Sequence, residues 1–171
     1  MKGLNWIKKL FLKKATLKKR PTRKPLLKSV EGYENVLVIA SEKNDDIEEL
    51  VRKAFIHAKI VHLERREKKV EKIQSDNYTI HSGDISLTGK IKNDKLRELF
   101  KHQFDLIIDL SDDDPIFTGM IEKIEASFLI GRSNSKRSFL YDLSVEGDWN
   151  NEELIPMITQ QIKLLSQHGK K

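Results

Sequence analysis

The sequence predicts an α/β fold, a three-layer sandwich on a mainly parallel sheet of five to six strands. Three observations lead there. Short continuous apolar runs, such as Asn35–Ala40 and Phe104–Leu110, have the composition of strands buried on both faces. Segments with helix-start signals alternate with these runs, the pattern of strand–helix–strand units. The part of the chain beyond position 30 is long enough for one hydrophobic core.

Taken in order, Asn35–Ala40 is the first strand. Asp45, with Glu48 three residues on, forms a capping box and opens a helix to about His57. Lys59–Leu63 is the second strand, and the charged stretch Glu64–Asn77 reads as a loop with a short solvated helix. Tyr78–Leu87 is a third extended region, interrupted at Ser82-Gly83. A helix over about Asp94–His102 leads into Phe104–Leu110, the clearest strand of the chain. Asp114 then caps a helix and Pro115 fits its first turn. Ser127–Gly131 and Phe139–Leu143 are the last two strands. The residues between them, Arg132–Ser138, are too few for a helical crossover, so this pair is expected as an antiparallel hairpin at one edge. Asn150 and Glu153 form a second capping box, opening a final helix to about Gln167.

Charge is distributed very unevenly. Positions 1–30 hold 11 Lys or Arg and no Asp or Glu, while positions 31–171 hold 21 basic and 26 acidic side chains. The net charge of +6 is therefore +11 in a short arm and −5 elsewhere, which points to an anionic partner. In the arm, Leu4, Ile7 and Phe11 recur at helical spacing beside Trp6, Leu10 and Leu17; Lys2 and Lys9 lie away from this apolar arc, Lys13 flanks it, Lys8 adds to the charge, and Leu12 falls outside the arc. Lys14 and Lys18 fall within it and would extend their ammonium groups to its edge, and Lys19 and Arg20 follow. Pro21 ends the helix, and Arg23, Lys24 and Pro25 belong to an extended basic linker. The expected organisation is a basic amphipathic helix at 1–20, a linker at 21–33 and the α/β domain at 34–171. Three readings of the arm compete: a helix lying on an anionic membrane surface, an arm binding RNA or the ribosome, and a helix packed on its own domain.

The composition excludes several classes. With no cysteine there is no disulfide framework, no thiolate chemistry and no zinc site that needs Cys. The longest apolar run of the arm, Leu10–Leu12, is too short for a signal-peptide core or a membrane span.

Two resemblances add to this reading. The run FDLIIDLSDDDPIFTGMIEKIEASFLIGR, Phe104–Arg132, resembles a strand–helix–strand segment in the N-terminal, Rossmann-like domain of heptosyltransferases. That family has a Gly-Asp pair after its first strand, at the catalytic end. Here the loop reads Ser41-Glu42-Lys43-Asn44-Asp45, and the resemblance does not extend to the second, nucleotide-sugar-binding domain. The whole chain is similar to a family of small uncharacterised Bacteroidota proteins. These share its basic N-terminal helix, its Asp84–Gly89 segment, its FDLIIDLS and IGR strands and its late YDL. That resemblance implies a Rossmann-like fold and a cytoplasmic location, and carries no activity with it.

Candidate chemistry is sparse. Ser111, Asp112 and Asp113 lie just past a strand's C-terminal end, where α/β sheets bind ligands. Acids there equally serve a helix start. Arg132, with Lys136 and Arg137, can grip an anion from the loop after the next strand. Ser111, Asp112, Asp113 and Arg132 are accordingly the candidate ligand site. The first strand–helix loop lacks the glycines of a phosphate cradle, and the five histidines show no ligand spacing. The sequence thus points to a non-catalytic binding or scaffold protein, cytoplasmic and peripheral at the inner membrane, held by its arm to an anionic membrane or to RNA. An enzyme remnant related to glycosyltransferases is the remaining alternative. No cofactor, metal or small-molecule substrate is expected, and no protein partner is specified.

Overall fold

The structure, a computed structural model, describes residues 25–64, 78–81, 84, 91–148 and 150–168. Six strands form one sheet: β1 Val36–Ala40, β2 Lys59–Glu64, β3 Tyr78–His81, β4 Phe104–Leu110, β5 Ala126–Arg132 and β6 Leu143–Val145. Their order is β3-β2-β1-β4-β5-β6, and every pair is parallel. This is the doubly wound, Rossmann-like order. Helices α1 Asp45–Ala54, α2 Asp94–Leu99, α3 Pro115–Ile121 and α4 Asn151–His168 complete the domain.

Alternation along the strands builds the three layers. Val36, Val38 and Ala40 of β1, with Leu106, Ile108 and Leu110 of β4, pack under α1 and α4. Leu37 and Ile39 of β1, with Ile107 of β4, face α2 and α3 on the other side. All of these residues are buried, as expected of a parallel sheet covered on both faces.

Local chemistry sets the helix starts. The Asn44 side chain accepts from the Asp46 and Ile47 amides at 2.9 and 3.2 Å, so Asn44 is the N-cap of α1 and Asp45 is its first residue. The expected capping box at Asp45 and Glu48 is therefore replaced by a one-way cap, because the residue three positions after Asn44 is Ile47. Asn93 caps α2 through the Leu96 amide at 3.3 Å. Before α4 the predicted box is reciprocal: Glu153 N–H donates to Asn150 Oδ1 at 2.9 Å, and Asn150 N–H donates to Glu153 Oε2 at 3.1 Å.

The expected antiparallel hairpin is not formed. β6 pairs with β5 in parallel, matching Ile130 with Leu143, Gly131 with Ser144 and Arg132 with Val145. The residues read as a strand from Phe139 instead contain a 3-10 turn, Ser138–Leu140. The connection 133–142 rises from the C-terminal end of β5 and descends one face, burying Leu140 beside α2 and α3. The chain turns upward again at Asp142, whose carboxylate accepts from the Leu129 amide while its own amide donates to the Leu129 carbonyl, both at 2.8 Å. A parallel crossover usually needs a dozen residues or more and a helix. This shorter one suffices because β6 is three residues long and the chain descends only to the middle of β5.

Domain packing begins upstream of residue 34. The Leu26 amide donates to the Ser127 carbonyl at 3.1 Å, and Val30 and Tyr33 are buried in the core under α1 and α4. Lys28 Nζ donates to Asp105 Oδ1 at 2.7 Å, and Asp105 Oδ2 accepts from the Glu34 and Asn35 amides at 3.1 Å each. Burial would push the Asp105 carboxyl up, but Lys28 and the two amides outweigh it and hold it below the usual carboxylate range. A depressed folded-state value means that the contribution is complete above the unfolded-state value, about 3.9, and is lost as pH falls through the lower folded one. Asp105→Asn is therefore expected to lower the urea midpoint at pH 7 and to approach the parent as the pH falls below the unfolded-state value and through the lower folded one. An equal deficit at pH 7 and in acid would show that the carboxylate charge is not what ties the segment down.

Candidate functional site

The strand order reverses between β1 and β4, and the C-terminal ends of these two strands open onto a cleft of about 330 Å³. In open α/β sheets ligands bind at this switch point. The four residues singled out as a ligand site, Ser111, Asp112, Asp113 and Arg132, all line this cleft, with Ser41, Asn134 and Ser135.

Beneath the cleft lies a buried polar hub that the sequence reading missed. Arg137 is only 2% exposed and Asp109 1%. Arg137 Nε donates to Asp109 Oδ2 at 3.0 Å, and Nη2 lies at 3.0 Å from the same oxygen. Nη2 also donates to the Ser111 carbonyl at 3.1 Å and the Ser111 hydroxyl at 2.8 Å. Nη1 donates to the Asp112 carbonyl at 2.7 Å and more loosely to that of Asp114 at 3.4 Å. Asp109 Oδ1 accepts from the Ser111 amide at 3.0 Å and from its hydroxyl, and Oδ2 accepts the Tyr141 hydroxyl at 2.7 Å. Both oxygens are thus filled from within the protein.

Arg137 is therefore not an anion gripper, contrary to the sequence expectation. It clips the β5–β6 connection to the β4–α3 loop. Burial alone would lower its affinity for a proton, but the Asp109 carboxylate and Tyr141 outweigh this and raise it. Burial pushes the Tyr141 hydroxyl well above its ordinary value, and Asp109 pushes it further, so the hydroxyl remains a donor.

Gly131 completes the arrangement. A Cβ built there would collide with the Tyr141 ring, so the glycine lets the ring reach Asp109. The motif pieces FDLIIDLS, IGR and YDL thereby gain physical roles. They supply Asp105 and Asp109, the gap at Gly131, and the Tyr141–Asp142 pair that seats the crossover.

The rim is cross-tied as well. The Asp112 amide donates to Ser41 Oγ at 2.6 Å, joining the ends of β1 and β4. Asp113 Oδ1 accepts from Ser135 Oγ at 2.9 Å and the Lys136 amide at 3.0 Å. Arg132 Nη2 donates to Asn151 Oδ1 at the start of α4. Asp114 stands immediately before α3, its carbonyl accepting from the Phe117 amide at 3.1 Å. The cleft thus presents hydroxyl, amide, carboxylate and guanidinium groups on loops fixed from below, a preorganised polar surface.

Among the described residues, no three His, Asp or Glu side chains group as a metal site would require. His62 is buried in the sheet, with Nε2 at 2.9 Å from Thr79 Oγ1 across the β2–β3 pair. The arm residues read as contacting an anionic surface, Lys2, Trp6–Phe11, Lys13, Lys14, Lys18–Arg20, Arg23 and Lys24, lie outside the described residues. So do residues 65–77 of the loop predicted over Glu64–Asn77, whose first residue instead ends β2, and the expected break at Ser82-Gly83. No helix among the described residues is long and apolar enough to cross a membrane.

No curated protein and no solved structure matches the chain. A family model matches residues 6–167, nearly the full length and both the cleft and the hub. The chain belongs to this family, DUF6913, a family of unknown function.

Proposed function

We propose that this protein is a non-catalytic binding or scaffold domain, held at an anionic membrane surface by its N-terminal arm. The observation that carries the reading is the charge segregation, +11 over positions 1–30 against −5 over positions 31–171. An apolar helical arc with Trp6 and Phe11 beside that charge suits shallow burial at a lipid interface better than contact with phosphates alone. The domain supports a binding role. At the first strand–helix loop the amides of α1 that would meet a phosphate are taken by Asn44, and Asp45, Asp46 and Glu48 crowd that first turn. At the switch point the polar groups are bonded to one another. The likeness of Phe104–Arg132 to the heptosyltransferase N-terminal domain then reflects shared shape, and the likeness to small Bacteroidota proteins favours a cytoplasmic location, peripheral at the inner membrane.

Cosedimentation with phosphatidylserine-containing vesicles tests this. Trp6→Ala with Phe11→Ala is expected to weaken binding at every salt concentration, because apolar burial is lost. Lys8→Glu with Lys13→Glu is expected to weaken it about thirtyfold or more at low salt, from roughly 1 kcal/mol per lysine, and less at high salt. Intact vesicle binding in the aromatic variant, together with a loss of RNA binding in the charge variant, would replace this reading with an RNA- or ribosome-associated role.

A further inference from the structure

A second concavity, about 860 Å³, lies far from the cleft, between the C-terminal part of α1, the middle of α4 and the 3-10 turn Val30–Gly32 that precedes β1. Its apolar walls are Leu50, Ala54 and Ile56 on one side and Ile155 and Pro156 on the other. Ile56 is 77% exposed, the most exposed large apolar side chain among the described residues. We propose that this groove is the docking site of the chain's own N-terminal segment, residues 4–19, and that the same apolar arc chooses between the groove and a lipid surface.

Three observations converge on that occupant. The first is connection. The described chain begins at Pro25, at the N-terminal edge of the sheet, where the Leu26 amide meets the Ser127 carbonyl near the start of β5. Leu27 packs against the same core that floors the groove, and the Lys28 amide donates to the hydroxyl of Tyr33, a groove residue, at 3.0 Å. The stretch from Arg20 to Lys28 spans at most about 30 Å, so the segment is tethered at the groove's own end of the domain. The second is size and shape. A helix over 4–19 is about 24 Å long, and its Leu4, Ile7, Leu10 and Phe11 present the apolar stripe that helix-in-groove docking uses. The third is charge. Residues 1–24 carry ten Lys or Arg and no acid. Glu31 and Glu34 stand on the wall nearest the tether. Of the lysines there, Lys53 is already paired with Glu49 at 2.6 Å, leaving Lys163 on the opposite flank.

The docking stands without the membrane reading, and only the competition with lipid rests on it. A docked segment hides Trp6 and Phe11, so the attached state requires release. The tether would favour the groove through a high effective concentration, and an anionic surface would draw the segment out.

The absence of native cysteine makes the test direct. In the full chain, Leu10→Cys is paired with Gln160→Cys in the groove, or with Lys95→Cys on α2 across the sheet, and treated with a short bis-maleimide. The groove pair is expected to cross-link within one chain at least tenfold faster than the control pair. Adding Ile56→Glu, a change at an exposed position, is expected to reduce the groove rate toward that of the control. Equal rates for the two pairs would overturn the docking, and a product made only of covalent dimers would overturn it in favour of a second copy as occupant. Phosphatidylserine vesicles are expected to suppress the groove cross-link. Rapid groove cross-linking that vesicles neither bind nor suppress would leave the docking intact and remove the membrane reading.

Discussion

Arg137→Met is expected to destabilise the domain by about 3–5 kcal/mol, the cost of leaving one member of a buried ion pair alone. For a chain of this size that is a fall in melting temperature of roughly 10–20 °C. The loss has two parts. Asp109 becomes an unpaired carboxylate in a buried site, and the carbonyls of Ser111 and Asp112 lose the guanidinium that holds the β4–α3 loop to the β5–β6 connection. Replacing both charges, Arg137→Met with Asp109→Leu, is expected to cost less than Arg137→Met alone. Apolar pairs of similar volume often substitute for buried ion pairs. Recovery will be incomplete, because the Tyr141 hydroxyl and the Ser111 amide also bond to Asp109. A single Arg137→Met variant within about 1 kcal/mol of the parent would show that the hub does not hold these loops.

The second large effect is expected at Gly131→Ala. The new methyl would occupy space that the Tyr141 ring fills, and the ring cannot withdraw without releasing Asp109. Overpacking of this kind costs about 1–3 kcal/mol, and a lost hydrogen bond to a charged acceptor about 1.5–3 kcal/mol. A total of about 3 kcal/mol or above is therefore expected. A double-mutant cycle isolates the cause. In a Tyr141→Leu background the smaller side chain leaves room, and adding Gly131→Ala should cost under about 1 kcal/mol. Equal costs in the two backgrounds would mean that the ring is not the obstacle.

Much of the fold was legible because its signals are local. The apolar runs Asn35–Ala40 and Phe104–Leu110 are strands β1 and β4, and Asn150 with Glu153 forms the box that opens α4. The direction of β6 was not legible. Linker length argued for a hairpin, and nothing in the sequence of residues 133–142 announces that Arg137 is drawn inward or that Tyr141 needs the gap at Gly131. Both facts depend on partners distant along the chain, Asp109 for Arg137 and Gly131 for Tyr141. The cleft shows the same division. Position after a strand end was enough to single out Ser111, Asp112 and Asp113, and Arg132 was singled out by its charge. The hub that fixes them was hidden because a buried arginine in a polar loop reads like any exposed one. Tyr141 gave a weak signal, an aromatic followed by Asp in a loop otherwise rich in Ser, Arg and Lys.

The uniformly parallel sheet governs how the chain can assemble as it is made. Among the described strands no two neighbours are joined by a hairpin, so none of these pairs forms from a short local turn. β1 can pair with β2 early, through α1, but its other edge is reserved for β4, which begins only at Phe104 although β1 ends at Ala40. At about 5–20 residues per second of synthesis, that edge waits several seconds with its backbone groups unpaired, and Leu37 and Ile39 wait for the cover that α2 and α3 supply. Because their pairing closes long loops, parallel sheets of this kind fold slowly and are prone to aggregate on the way. The newly made N-terminal half therefore carries an open pairing edge until Phe104–Leu110 emerges and closes the sheet.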